Sequence, residues 1–368
     1  LTLLKSASAG HAEALVGPVV ALFAVAPVAL ALPAGRLADR RGYHLPVQIA
    51  VLLSCAGGAC ALLSSVWPEL RYGLFCAAAL LSGAGCNIGL TTIQRSAGRG
   101  ARNVTELKST FSWLGMAPSI SNFLGPAIAG PLFDHSGTRT TFAVLAVLPL
   151  LTLVVARWVP HEAPPPPIAA GSPPTWELFS APKLRRLLAV SQCMSTSWDA
   201  HSFLVPVLGH QRGLSASAIA SVLGAFALAV TGVRLVIPML AHRLSEAQTL
   251  RFAMLLVAVA LAIYPFVNTV YGMGICAGCL GFALGASQPM VLTMLHQITP
   301  SARHGEAIAL RAMTSSASSA LTPLAFGAVS QLLGAGGLFW LVSAVVSAGA
   351  VAARGLDPSS IAAHAPQD

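Results

Sequence analysis

Apolar runs of near-constant length recur along this chain, and they limit its fold more than any other feature. They lie near 15–34, 45–67, 72–94, 110–132, 140–159, 186–209, 214–240, 247–268, 270–297, 306–333 and 336–354. A helix needs about 20 mostly apolar residues to cross about 30 Å of hydrocarbon, and each run is close to that length. Charged residues make up 9% of the chain, against roughly 25% in soluble proteins, so a water-facing surface cannot be assembled around so much apolar sequence. Inside a bilayer only helices and closed barrels satisfy their own backbone polar groups. Barrel strands read as short alternating segments, whereas these runs are unbroken. The expected fold class is therefore an all-α polytopic membrane protein.

The formal net charge of +9 does not point to nucleic acid, because the basic residues sit in short turns between spans, where they orient the chain. Arg36, Arg40 and Arg41 share one turn; Arg95, Arg99, Arg102 and Lys108 the next rich one. Arg157 with Lys183, Arg185 and Arg186 follows, then Arg243 with Arg251, then Arg303. These turns alternate with turns holding Arg71, Arg139, Arg212 or no basic residue. Cationic turns face the cytoplasm, which puts Arg36–Arg41 inside and the start of the span 15–34 outside. The leading "LTLL" then reads as the tail of a further span, which implies a parent with twelve. No cleavable signal peptide is recognisable.

Other chemistries lack their residues. "CAGC" at Cys276–Cys279 has no histidine or second cysteine pair beside it and reads as small residues for helix packing. The sequence holds no phosphate-binding glycine loop with lysine, no H-E-x-x-H and no G-x-S-x-G. It is expected to need no cofactor or metal, to bind no nucleic acid and to be no enzyme.

One segment differs in composition. Residues 160–185 contain "PHEAPPPPIAAGSPPTWELFSAPKL", an expected cytoplasmic proline-rich linker with an amphipathic stretch at the membrane surface. It separates an expected N-terminal bundle, 1–159 (spans 2–6 of the inferred twelve), from a C-terminal bundle, 186–368 (spans 7–12). The two echo each other. "LADR" at Leu37–Arg40 returns as "LAHR" at Leu240–Arg243, and "LTTIQR" at Leu90–Arg95 as "LTMLHQ" at Leu292–Gln297, at offsets of 203 and 202. "GPAIAG" at Gly125–Gly130 returns weakly as "TPLAFG" at Thr322–Gly327. Ordered echoes at one period indicate duplication, and paired bundles around a midplane site are how many secondary transporters are built.

Gly35-Arg36-Leu37-Ala38-Asp39-Arg40-Arg41-Gly42 resembles the signature that the major facilitator superfamily carries after its second span. Tyr43 and His44 stand where that signature has two basic residues. In the second copy Pro238, His242 and Ser245 replace the first glycine, the aspartate and the last glycine. Ser121-x-x-x-Gly125-Pro126-x-x-Ala129-Gly130 is similar to the fifth-span packing motif of the family's antiporters. Ala79, four residues before Gly83, stands where the family's proton-coupled drug exporters carry an arginine, which argues against a standard drug/proton antiporter. The resemblance implies two pseudo-symmetric six-helix bundles, the first helix being largely missing. It implies also that the Asp39 carboxylate faces the N-terminus of the eleventh helix, near Ser301–Glu306, when the cytoplasmic side is shut. There it would meet about half a positive charge and act as a latch. Gly35 and Gly42 are expected to permit a tight turn, and the arginines to anchor it.

Ionisable groups at membrane depth are costly and mark pathways. Asp199 in "SQCMSTSWDAHSF" is the leading candidate; Gln192, Ser195 or Thr196, and Asp199 share a helix face. A desolvated carboxyl takes up a proton more readily than one in water, which makes Asp199 a candidate proton carrier. His201 projects from another face and is a second titratable candidate or a polar group at the outer mouth. Asn87, Asn122 and Gln288 either line a cavity or bridge helices. Arg311 either snorkels to the cytoplasmic interface or anchors an anionic substrate.

The resulting expectation is secondary active transport of a small organic solute by alternating access, coupled to protons, with export as the leading direction. Uptake of a carboxylate-type metabolite, or a membrane sensor or intramembrane enzyme without transport, are the alternatives. The expected setting is the bacterial inner membrane, as a multi-pass monomer with the lipid bilayer, protons and a small molecule as partners.

Overall fold

The computed structural model describes residues 9–160 and 180–353. "LTLL" and most of the expected linker lie outside the described residues. The described chain forms α1 (Ala9–Arg41), α2 (His44–Leu63), α3 (Arg71–Gly100), α4 (Val104–Val147), α5 (Leu150–Ala156), α6 (Pro182–Gln211), α7 (Ala216–Leu240), α8 (Glu246–Ile263), α9 (Val270–Ile298) and α10 (His304–Ala352). Six helical segments of 20–30 residues have the length and apolarity to cross a bilayer, with mean hydropathy of 1.6–2.0. At about 1.5 Å per residue the shortest already spans the hydrocarbon.

Two long helices are interrupted. Within α4 the backbone turns at Gly137, φ 77°, and within α10 at Gly334, φ 67°. Both lie in the left-handed region, where a Cβ is strained. They fall between the runs 110–132 and 140–159, and between 306–333 and 336–354, so glycine alone makes the turn between two successive spans.

The chain gathers into two compact units, each built mostly from one sequence half plus a segment of the other. The first comprises 1–96, 120–172 and 302–317; the second comprises 97–119, 173–301 and 318–368. In the first unit small residues let helices touch. A Cβ on Gly83 would overlap the Phe23 carbonyl, and one on Gly57 would overlap the Ser82 hydroxyl. Val47, Val51 and Ala156 form a buried cluster with Leu153, tying α2 to α5. In the second unit α9 is the central post, buried along most of its length. Gly281 and Gly285 let it approach Phe226 and Val230 of α7, and Val233, Ile237, Ala286 and Met290 fill the seam. Without a hydrophobic force between helices in lipid, such close packing is what holds them together.

Candidate functional site

The charged stretch Arg36–Arg41 at the C-terminal end of α1 belongs to the first unit. Asp39 is 1% exposed. Its Oδ1 accepts from the Gly305 amide at 2.9 Å and its Oδ2 from the Glu306 amide at 3.0 Å. These are first-turn amides of α10, which have no partner within the helix. Arg95, near the C-terminal end of α3 and fully buried, donates from Nε to Oδ1 at 3.1 Å. Glu306 in turn holds Arg36 at 3.0 Å and Arg303 at 2.6 Å. The carboxylate thus meets a helix-end partial charge and a full guanidinium charge at once. Arg40 and Arg41 are exposed and Leu37 is half-buried.

The two motif glycines have different duties. Gly42 takes φ 68° and makes the turn into α2. Gly35 is not in a turn, contrary to expectation; it lies inside α1, because the helix runs on to Arg41. Its missing side chain serves close approach: a Cβ there would overlap the Gly305 carbonyl oxygen, and a Cβ on Gly305 would meet Asp39 Oδ1 at 2.8 Å.

The second unit carries a clamp of opposite sign. Lys108, in the first turns of α4 and 5% exposed, donates to the Ala241 carbonyl at 2.9 Å and to the Leu244 carbonyl, and pairs with Glu246 at 3.1 Å. Carbonyls at a helix C-terminus carry partial negative charge, so a cation suits the end of α7 as an anion suits the start of α10. Further along the same helices, Ser112 donates to the Arg234 carbonyl at 2.6 Å. The Arg234 guanidinium donates to the Gly115 carbonyl, to Ser119 Oγ at 3.4 Å and to Gln288 Oε1 at 2.6 Å.

A polar strip joins α6 to α10 in that unit. Gln192 donates to Thr196 at 3.4 Å, Thr196 lies 3.2 Å from Ser318, and Ser318 3.3 Å from Thr322. Ser319 donates to both oxygens of Asp199, at 3.0 and 3.2 Å. Gln192, Thr196 and Asp199 therefore do share a face. His201 is elsewhere: fully buried, stacked on Phe226 at 4.3 Å between ring centres and edge-on to Tyr264, with no hydrogen-bond partner on either ring nitrogen among the described residues.

A family model described as Major Facilitator Superfamily matches residues 3–282. The chain belongs to the major facilitator superfamily. It is an integral multi-pass membrane transporter with the superfamily's all-α fold. The solved human organic anion transporter MFSD10 is 18% identical, with a TM-score of 0.74 over 96% of this chain and 87% of that one. A fucose:proton symporter from E. coli, FucP, is 14% identical, with a TM-score of 0.73 over 93% and 91%. A bacterial homologue of the iron transporter ferroportin, in an outward-facing state, is 18% identical, with 0.72 over 97% and 92%. No curated protein sequence matches the chain.

The remaining candidates are scattered over this superfamily member. Asn87 on α3 is 8% exposed and its Nδ2 lacks a partner among the described residues. Arg311 on α10 is half-buried and its Nε likewise lacks one. The side chains of Asn122, Pro126 and Gly130 lie outside those described. Ser121 and Gly125 are exposed, and a Cβ on Gly125 would meet nothing within 4 Å, so the close packing expected of the fifth-span motif is not found at Gly125 among the described residues. In the sequence Arg95 and Lys108 look like orientation charges, and nothing local to Ser318 or Ser319 marks their hydroxyls as partners of α6. An arginine deep in an apolar run is the signal that marks Arg234.

Proposed function

We propose that this transporter is secondary active and proton-driven, moving a small organic solute by alternating access, with the Asp39 contact stabilising one state of the cycle. The observation that carries this reading is the bidentate capping of α10 by Asp39 across 266 residues of sequence. Two hydrogen bonds to a charged group contribute about 1.5–3 kcal/mol each, and the helix end up to ~2 kcal/mol. Desolvation of the buried Asp39–Arg95 pair opposes them. The net is on the order of a few kcal/mol, the gap that leaves an alternative state roughly 0.1–10% populated. A contact of that size biases a conformational equilibrium without freezing it. Lys108 supplies the matching bias at the end of α7.

Proton coupling is assigned to Asp199, a carboxylate well inside α6 that accepts from the Ser319 hydroxyl, with no cation paired to it among the described residues. Such a group can exchange a proton without breaking an ion pair. The description of FucP as a proton symporter is consistent with this assignment.

Proteoliposomes holding the full chain and an internal pH dye test the proposal. Addition of a transported compound should move protons, and Asp199→Asn should abolish proton movement while solute counterflow persists. Flux with no accompanying proton movement would refute the coupling; no flux from a broad panel of organic solutes would refute transport.

A further inference from the structure

Arg234 is 3% exposed, yet it lies well inside α7, six residues and so about 9 Å before the helix ends at Leu240. Its acceptors are all neutral: the Gly115 carbonyl, the Ser119 hydroxyl and the Gln288 amide oxygen. No carboxylate pairs with it among the described residues. Its Nε has no hydrogen-bond partner there, and of the two hydrogens on Nη2 one goes to Gln288. Two other deeply buried cations each have an acid beside them: Arg95 has Asp39 and Lys108 has Glu246. A guanidinium buried among neutral dipoles keeps its full charge and lacks the counterion that normally makes such burial tolerable. A purely structural tie between α4, α7 and α9 would be served by glutamine, at no such cost.

We propose that Arg234 is the anchor for the carboxylate of an organic anion, with Gln288 and Ser119 orienting the guanidinium. The unpartnered Nε–H lies on the edge of the fork that binds carboxylates side-on. Gly115 lies against that edge: a Cβ there would sit 3.3 Å from Nε and crowd it. This inference rests on the transport reading and deepens it by naming the solute class.

The test is ligand-induced thermal stabilisation of the purified full chain in lipid nanodiscs. The probes are benzoate, citrate and glucuronate, with glucose and tetraphenylphosphonium as neutral and cationic controls. At least one carboxylate should raise the melting temperature of the wild type and neither control should. In Arg234→Gln that shift should need at least about 30-fold more ligand, and Arg234→Lys should restore part of it. A merely structural arginine would lower the melting temperature of the empty protein and leave the ligand shift intact. Should Arg234→Gln fail to fold, Gly115→Ala keeps the charge and crowds the Nε edge, and it should weaken the carboxylate effect about tenfold or more. No stabilisation by any of the three carboxylates, or equal stabilisation of wild type and variants, overturns the proposal. Carboxylate binding without flux in proteoliposomes would leave the site standing and remove the transport reading; flux of neutral solutes alone would do the reverse.

Discussion

Arg95 and Asp39 are both fully buried at the side chain and joined at 3.1 Å, and the carboxylate also caps the first turn of α10. Neither charge is tolerable there without the other. Removing one partner of a buried pair costs about 3–5 kcal/mol, because the survivor is stranded. Asp39→Ala and Arg95→Ala should each lower the melting temperature far more than Arg36→Ala, whose side chain is 45% exposed in its pair with Glu306. The double variant Asp39→Asn with Arg95→Gln should be less damaging than the two losses added. A double-mutant cycle on thermal stability in detergent measures this; strict additivity would mean that the pair is not a unit.

Gly305 tests the same latch without touching a charge. Its Cβ would meet Asp39 Oδ1 at 2.8 Å and overlap the Gly35 carbonyl, so Gly305→Ala must push α1 and α10 apart. Hydrogen exchange of the peptide covering Gly305 and Glu306 should accelerate to the extent seen in Asp39→Asn, as both lose the cap on those amides. A Gly305→Ala protein with wild-type protection there would contradict the packing.

The spans were legible because membrane thickness fixes the length of an apolar run, and Gly42 because a turn between charges needs a left-handed residue. The cap on α10 came from the resemblance of a short motif. What joins distant parts of the chain was not legible. Nothing local to Arg95 says that it meets Asp39, 56 residues away, and nothing local to Gln288 says that it meets Arg234, 54 away. His242 reads as decay of the repeated motif, and the start of α4 carries a cap of its own. The N-terminus of α4 is capped by its own Asn103, which accepts from the Glu106 amide at 2.8 Å, while Glu106 accepts from the Arg102 amide at 2.9 Å. That Asn-x-x-Glu pattern is a local capping signature and was available in the sequence. Lys108, a cation, meets the end of α7 instead.

Lys108 should therefore matter more than an ordinary surface lysine. Its ammonium satisfies carbonyls of Ala241 and Leu244 and neutralises Glu246. Lys108→Met should destabilise the protein by about 2–4 kcal/mol and speed hydrogen exchange around 241–246. Because the pair is buried, raising salt from 0.1 to 1 M should not reproduce the effect, although it screens exposed pairs. Loss of the difference between wild type and Lys108→Met at high salt would assign Lys108 to the surface.

Glycines of this transporter divide by need for space and for backbone freedom. Gly137 and Gly334 occupy φ of 77° and 67°, where alanine costs about 1–2 kcal/mol. Gly125, central to the fifth-span motif, is exposed, and a Cβ would meet nothing within 4 Å among the described residues. Alanine at Gly137 or Gly334 should reduce thermal stability measurably, and alanine at Gly125 should stay within about 0.5 kcal/mol of wild type. A large loss at Gly125 would restore the packing role expected from the motif.

Asp199 and Ser319 allow the proposed coupling to be tested apart from binding. The serine hydroxyl donates to both carboxylate oxygens, and a hydrogen bond to the charged form favours that form. Taking the donor away makes the carboxylate easier to protonate, so Ser319→Ala should displace the pH profile of transport toward alkaline values, while Ser319→Thr, which keeps the hydroxyl, should not. Asp199→Asn should flatten the profile and remove stimulation by an imposed pH gradient. Uptake measured in proteoliposomes between pH 5 and 9 reads all three. An unchanged profile in Asp199→Asn would take the proton from this carboxylate, and an unmoved one in Ser319→Ala would mean that the hydroxyl only helps to pack α6 against α10.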